Sequence, residues 1–242
     1  MGVTYSIIIP AYNEENWLPR TLTSLKTAMA ACGLAGEVIV VDNNSTDSTA
    51  QIAAEYGARI IFEPRNQISR ARNAGADAAG GDYLIFLDAD TLLPPDLLKS
   101  ALKNLADGAC CGGGAWVSSI EAPPAAVLRS IELWNRLSRA FNWAAGCFIY
   151  TLRQGFEAVG GFSEKVYASE EIWFSRQLRA WGKSKGLTFR IIKHPPIATS
   201  VRKLHWFTPR QALLLIILMI FPLALRSRLL CAYWYVRPAP RK

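Results

Sequence analysis

The first 110 residues alternate short apolar runs with stretches whose apolar positions recur every three or four residues. Strands and helices following one another in that way predict parallel α/β architecture. Tyr5-Ser-Ile-Ile-Ile-Pro10 predicts a buried strand, and Leu18, Leu22 and Leu25 mark the inner stripe of the helix behind it. Glu37-Val-Ile-Val-Val-Asp42 predicts a second strand, Ala58-Arg-Ile-Ile-Phe62 a third, and Asp82-Tyr-Leu-Ile-Phe-Leu87 a fourth that ends at Asp88. Between them, Ser45 or Thr46 is placed to cap a helix running to Gly57, and Ile68 to Ala79 is helical and rich in small residues. Strands apolar at nearly every position need a sheet covered on both faces.

The second half is less regular. Ala109 to Ser119 predicts a strand, Ala125 to Phe141 an amphipathic helix, and Gly146-Cys-Phe-Ile-Tyr150 a short strand leading to a helix that stops at Gly160-Gly161. Ser169 is placed to cap a helix from Glu170 to Trp181, and Thr188 to Lys193 is a last strand, broken by Pro195-Pro196. There is no internal repeat. The chain of 242 residues is 51% hydrophobic, enough for a large core, and this excludes disorder and low complexity. No secretory signal is expected, because the first residues already read as a strand. The five cysteines include no C-x-x-C pair. Neither a disulfide framework nor a zinc knuckle follows, and a cytoplasmic location fits best.

The chemistry is expected where open α/β sheets bind ligands, at the carboxyl ends of their strands. Three such ends carry polar residues beyond any packing need: Pro10-Ala-Tyr-Asn-Glu-Glu15, Asp42-Asn-Asn-Ser-Thr-Asp47 and Asp88-Ala-Asp90. Two residues apart in extended backbone, Asp88 and Asp90 would project to the same side. Such a pair is costly unless a cation lies between, and a hard divalent ion bridging to a diphosphate is its natural partner. Familiar phosphate cradles are missing: there is no G-x-G-x-x-G, and Gly182-Lys183-Ser184 lacks its upstream glycine, which is Gln177. His194 and His205, the only histidines, sit beside prolines or aromatics and read as structural.

These segments, in order, resemble the family 2 glycosyltransferases of the GT-A fold, the inverting nucleotide-sugar enzymes. The resemblance runs from about residue 4 to about residue 203. It adds Ala71-Arg-Asn-Ala-Gly75, Gly81 to Asp90, Gly160-Gly-Phe162 and Glu170-Glu171 to the strand ends already named. It implies a mixed, mostly parallel Rossmann-like sheet flanked by helices, over residues 1–205. It implies that Pro10, Ala11 and Tyr12 line the nucleoside pocket with Glu14 near ribose or phosphates, and that Asp42 accepts a hydrogen bond from the base. Arg72, with Arg70 a weaker candidate, would face the nucleotide. Asp88 would help hold ribose and metal, Asp90 would bind Mg²⁺ or Mn²⁺ at the diphosphate, and Gly146 would back the sugar pocket. Gly160-Gly161 would form the turn before the acceptor loop. The family's acidic pair is usually Glu-Asp with the Asp as base. Here Glu171 takes that place, one methylene longer, with Glu170 in support. Arg202 falls where a basic residue meets the diphosphate.

The resemblance implies transfer of a sugar from a nucleotide-diphosphate sugar, UDP by family habit, to a hydroxyl of a lipid-linked or envelope glycan. A non-catalytic nucleotide-sugar-binding protein of the same fold stays open, since product formation alone separates the two. A sugar-phosphate nucleotidyltransferase would open with a glycine-rich basic loop, which Pro10 to Glu15 does not provide.

The charge of +8 is carried by the end of the chain. The last 42 residues hold eight of the 27 basic residues and none of the 19 acids. They bracket the apolar run Ala212 to Leu225 instead of spreading over a folded face, so a membrane surface is expected as partner and nucleic acid is not. That run of 14 residues is short of the roughly 20 needed to cross a bilayer. Residues 206–242 are therefore expected to form an apolar, basic tail, peripheral at the inner face of a membrane, with Tyr233, Trp234 and Tyr235 at the interface.

Overall fold

The computed structural model describes residues 4–202 together with Ser227 and Cys231. The strands are β1 (Tyr5–Ala11), β2 (Gly36–Asp42), β3 (Arg59–Phe62), β4 (Tyr83–Leu87), β5 (Thr91–Leu92), β6 (Cys110–Ser119), β7 (Phe148–Leu152) and β8 (Thr188–Thr199). They form one sheet in the order β3-β2-β1-β4-β7-β6-β8-β5. Strands β1, β2, β3 and β4 are mutually parallel; β7 runs against β4 and β6, β8 runs with β6, and β5 runs against β8.

The continuous apolar strands bury both faces, as their composition requires. Tyr5, Ile7 and Ile9 enter one core with Val40, Ile85 and Leu87, while Ile8 enters the other with Ile39, Val41, Leu84 and Phe86. Alternate residues of a strand point to opposite sides, so one apolar run serves two cores. Helices α1 (Leu18–Cys32) and α4 (Pro95–Ala106) cover the first face. Helices α3 (Ile68–Ala78), α6 (Arg153–Val159) and α7 (Glu170–Ser184) cover the second. Each fully buried Ile or Leu contributes roughly 1.5–3 kcal/mol by leaving water. Helix α5 (Ala125–Phe141) lies along β6, where the Asn135 amide accepts from the Val117 N–H at 2.8 Å and donates to its carbonyl at 2.9 Å.

Two expectations need correction. Helix α2 starts at Thr49, after Ser48, and not at Ser45 or Thr46. Those residues are occupied by the neighbouring loop: Ser45 Oγ accepts from the Asn13 N–H and the Thr46 N–H donates to Asn13 Oδ1. Strand β8 does not end at Pro195-Pro196 but continues to Thr199. The prolines fall where the ladder is irregular, between the Ala115↔Ile192 and Val117↔Ile197 pairs, so their missing N–H groups break no bond. Beyond it, Ala198 and Thr199 find a second partner in β5. Strand β5 and helix α4 have no counterpart among the expected elements. Most of the 206–242 segment lies outside the described residues. Cys231 is buried against Val166 and Ala168, on the loop before α7. Among the described residues no helix is long and apolar enough to cross a membrane.

Among the glycines, the tightest packing is at Gly113 on β6, between Tyr150 of β7 and Arg190 of β8. A Cβ there would collide with the Arg190 carbonyl and come within 2.6 Å of the Tyr150 hydroxyl. Replacing Gly113 by Ala should cost about 1–3 kcal/mol, the scale of overpacking, or more if β6 and β8 separate. A thermal melt checks this, and an unchanged midpoint would refute the close approach.

Candidate active site

Because β1, β2 and β4 run parallel and in register, with Ala11 opposite Asp42, their following loops open at the same edge of the sheet. The loop after β1 is stitched to the loop after β2. Glu14 N–H donates to Thr49 Oγ1 at 2.7 Å, Glu15 N–H to Asp47 Oδ2 at 3.2 Å, and Asn43 N–H to the Ala11 carbonyl at 2.8 Å. Asp42 turns one carboxylate oxygen onto the Ser45 N–H at 2.9 Å. Pro10, Ala11, Tyr12 and Asp42 therefore share one wall, with Pro10 and Tyr12 partly exposed.

The centre of the site is Arg72 on α3. Its side chain is 1% exposed. Nη1 donates to Glu170 Oε1 at 2.7 Å, and Nη2 to Asp88 Oδ1 at 3.1 Å and to the Gly146 carbonyl at 2.8 Å. The guanidinium carbon lies 5.1 Å above the Phe162 ring, within the range of a cation–π contact. Burial works against the charge of Arg72, but Asp88, Glu170 and Glu171 outweigh it and raise its proton affinity. Phe162 is set under the guanidinium by Asn73, whose amide donates to the Phe162 carbonyl and accepts from its N–H, both at 2.9 Å. Gly161, at φ 70°, completes that turn.

Glu171 stands beside this group: a Cβ on Gly146 would lie 3.6 Å from its carboxyl carbon and 3.3 Å from Arg72 Nη2. Desolvation, then the charge of Glu170, pushes the Glu171 carboxyl up to about 8, while Arg72 pulls the other way. The expected residues Arg72, Asp88, Gly146, Glu170 and Glu171 thus meet in one cleft.

A second cluster forms from Glu14, Asp90 and Arg202. Arg202 Nη2 donates to Asp90 Oδ2 at 3.0 Å and to Glu14 Oε1 at 2.6 Å, and its guanidinium lies 5.6 Å from the centre of the Trp17 ring. Asp88 and Asp90 do not sit in extended backbone: residues 89 and 90 form a turn, and each carboxylate meets its own arginine. Among the described residues no group of three or more His, Cys, Asp or Glu side chains is arranged around a metal position. The donor chemistry nonetheless fits a hard divalent ion, since two largely buried carboxylates, Glu14 and Asp90, converge on one positive charge. Arg70 is not turned to the nucleotide wall but is tied to Glu63 and Glu164.

Several site residues had no signal in the sequence pattern. Glu121 accepts the Ser200 hydroxyl at 2.8 Å and the Val201 N–H at 3.1 Å, clasping the segment that delivers Arg202. The partners lie 79 and 80 residues apart, beyond any local pattern. Cys147, fully desolvated and close to Asp88 and Asp90, has its thiol pushed far up, so it carries no thiolate chemistry. Trp17 follows the first acidic loop directly and offered a signal there as an aromatic beside acids.

An open, mostly parallel sheet with acidic strand ends facing one cleft defines a nucleotide-type α/β site. The chain belongs to glycosyl transferase family 2, whose model matches residues 6–159. An uncharacterised glycosyltransferase of Mycobacterium tuberculosis (strain H37Rv) is 35% identical over 108 residues, covering 45% of this chain and 46% of the relative. The glycosyltransferase GlyA of Streptococcus pneumoniae is 32% identical over 189 residues, covering 74% of this chain and 24% of the relative. The chain thus spans less than half the length of these relatives. The mannosyltransferase PcManGT of Pyrobaculum calidifontis, solved with GDP-Man and Mn²⁺, superposes with TM-score 0.66 at 24% identity over 92% of this chain and 64% of that one. TarS of S. aureus gives TM-score 0.62 at 18% identity over 90% and 65%. These likenesses establish the GT-A fold.

Removing Arg72 would strand two carboxylates. Arg72→Met should destabilise the protein by about 3–5 kcal/mol, as breaking a buried ion pair from one side does, and the urea midpoint reads it. Glu171 acts in the opposite sense. Its folded carboxyl holds a proton that the unfolded chain releases above about pH 4.3, so stability falls as pH rises from there toward 8. Glu171→Gln should therefore melt higher than the parent near pH 8 and alike near pH 4; coincident melts at both would refute the raised affinity.

Proposed function

We propose that this protein is a metal-dependent, inverting glycosyltransferase that moves a sugar from a nucleoside diphosphate, UDP in the first instance, to an acceptor hydroxyl. One observation carries the reading: Arg72 gathers Asp88, Glu170 and the Gly146 carbonyl beside Glu171. A leaving-group side and a proton-accepting side thereby come into the same cleft. The family membership supports it, as do neighbours of the same fold solved with UDP, UDP-GlcNAc and GDP-Man. In this reading residues 1–205 are the transferase domain, the acceptor is a lipid-linked or envelope glycan, and residues 206–242 are a tail at the cytoplasmic membrane face.

The base of the donor rests on the wall of Pro10, Ala11, Tyr12 and Asp42, whose carboxylate accepts an N–H from a uracil-type edge. Glu14 and Asp88 lie along ribose and diphosphate. Asp90 and Glu14, whose carboxylates converge on Arg202, would hold Mg²⁺ or Mn²⁺, which would supply positive charge to the diphosphate, while Asp88 stays on Arg72. Arg202 places a guanidinium on the same diphosphate. Preorganised positive charge where negative charge develops lowers the barrier without reorganisation.

The acceptor oxygen attacks the anomeric carbon from the face opposite the diphosphate. The new C–O bond forms, the old one breaks with its electron pair leaving on the diphosphate, and the hydroxyl proton passes to the Glu171 carboxylate. Once ionised, a carboxylate whose proton affinity is raised to about 8 is a better base than an ordinary one, so transfer should rise with pH toward that value. Arg72 and Glu170 keep that carboxylate in place beside Gly146.

Asp90→Ala should abolish transfer. Glu171→Gln should lower turnover by roughly 10²–10⁴, the scale of general-base catalysis, while binding the nucleotide sugar as the parent does. The assay is donor consumption across UDP-, GDP- and dTDP-sugars with and without Mn²⁺, with calorimetry for binding. Near-normal turnover by Glu171→Gln would remove it from the role. Nucleotide-sugar binding without product in the parent would leave a binding protein of the same fold.

A further inference from the structure

Nine large apolar residues are exposed among the described ones, and five of them lie on α5 and α7. On α5, Leu133 (57%), Leu137 (37%) and Phe141 (49%) follow one another at four-residue intervals and form one stripe, opposite the buried Asn135 and Ser138. Arg129 and Arg136 are exposed beside that stripe, Arg139 is exposed on the far side of the helix, and Glu132 is the only acid of the helix. Helix α7 adds Trp173, 36% exposed, with Arg176 and Lys183 in the open. The two helices meet where Arg179 donates to the Phe141 carbonyl at 2.5 Å. A groove of about 470 Å³ runs along α7 to the start of β8, lined by Arg176, Arg179, Lys183, Leu187 and Phe189, with Asn142 at the end of α5 on its rim. The acids of α7, Glu170 and Glu171, belong to the cleft and do not offset this charge.

We propose that α5 and α7 form a docking face for an anionic bilayer. An apolar stripe bordered by arginines matches a headgroup boundary, with side chains of the stripe among acyl chains and guanidinium groups at lipid phosphates. Other occupants fit worse. The C-terminal tail is basic without acids and would repel the face, and its buried Cys231 packs on Val166 and Ala168 instead. A second copy would bring like charge against like. A nucleic acid would meet the arginines but leave Leu133, Leu137 and Phe141 without an apolar partner.

The face and the cleft share their elements. Trp173 follows Glu171 by two residues, and Phe141 precedes Gly146 by five. Docking therefore brings α7, which carries Glu171 in its first turn, near headgroup level, from which a hydroxyl carried on a membrane lipid would reach Glu171. That last consequence alone rests on the transferase reading.

Sedimentation of the full chain with vesicles tests the face, comparing phosphatidylcholine with mixtures of phosphatidylcholine and phosphatidylglycerol. Binding should require phosphatidylglycerol. Each basic residue at an anionic leaflet is worth about fivefold, so Arg129→Gln/Arg136→Gln should weaken partitioning by about twenty-five-fold. Leu133→Ser/Leu137→Ser/Phe141→Ser should lower the binding that survives high salt, where Coulomb attraction is screened, leaving only what the apolar run Ala212 to Leu225 supplies. Should either variant melt early, Arg176→Gln/Lys183→Gln on the other helix replaces it, with a loss of about twenty-five-fold expected. Full binding by these folded variants, no preference for phosphatidylglycerol, or stronger binding to a DNA duplex than to vesicles would overturn the proposal. Vesicle binding by a protein that transfers no sugar would sink the transferase reading and leave the docking face standing.

Discussion

A single buried cation organises the cleft. Taking a guanidinium wholly out of water costs several kcal/mol even after the protein relaxes, and only a set of well-placed acceptors offsets that. Arg72 has such a set: Asp88 at the end of β4, Glu170 at the start of α7, and the Gly146 carbonyl before β7. Those three points come from separate parts of the chain, so the arginine cross-links helix α3, the central sheet and the second helical layer at once. Phe162 closes its underside and belongs to an aromatic group with Phe86, Phe156 and Phe174. The ion cluster rests directly on the second hydrophobic core. Core packing thereby fixes the position of catalytic-type carboxylates, and a loose core would be felt as a loose site.

Much of the first half was legible because its signals are local. A parallel sheet with both faces covered must show unbroken apolar strands, and β1, β2, β3 and β4 do so within a residue or two of their expected limits. The acidic strand ends were visible for the same reason: polar residues directly after such strands have no packing role. What escaped was set by distant partners. The two-residue β5 has no pattern of its own and exists because β8 continues past two prolines to meet it. The start of α2 shifted because Ser45 and Thr46, good capping residues in isolation, are spent on the loop after β1. Glu121 could not be read at all, since its only claim to the site is a pair of bonds to residues at the other end of the domain.

The spacing of Asp88 and Asp90 illustrates how a motif can be right in composition and wrong in geometry. The D-x-D signal led to the correct edge of the sheet, but the turn at residues 89 and 90 separates the two carboxylates into different electrostatic neighbourhoods. Two adjacent carboxylates sharing one counter-ion would hold their charges at each other's expense. The fold keeps the two apart: Asp88 shares Arg72 with Glu170, and Asp90 shares Arg202 with Glu14.

The two arginines differ in a way that decides what each can do. Arg72 is enclosed on all sides and its carboxylates are its permanent partners; withdrawing it would leave buried charge behind. Arg202 is more open, with its side chain 19% exposed, and it reaches Glu14 and Asp90 from the segment after β8, which the Glu121 clasp holds, with the face of Trp17 beside it. A counter-charge of that kind can be exchanged for another cation, or turned to a diphosphate, without disturbing the core. On the proposed transferase reading, the cleft would combine one fixed positive charge beside the proton-accepting carboxylate with one more open charge on the leaving-group side. Group transfer with a charged leaving group calls for that asymmetry, because the leaving side must take on and release an anion in every cycle while the base beside Gly146 stays where it is.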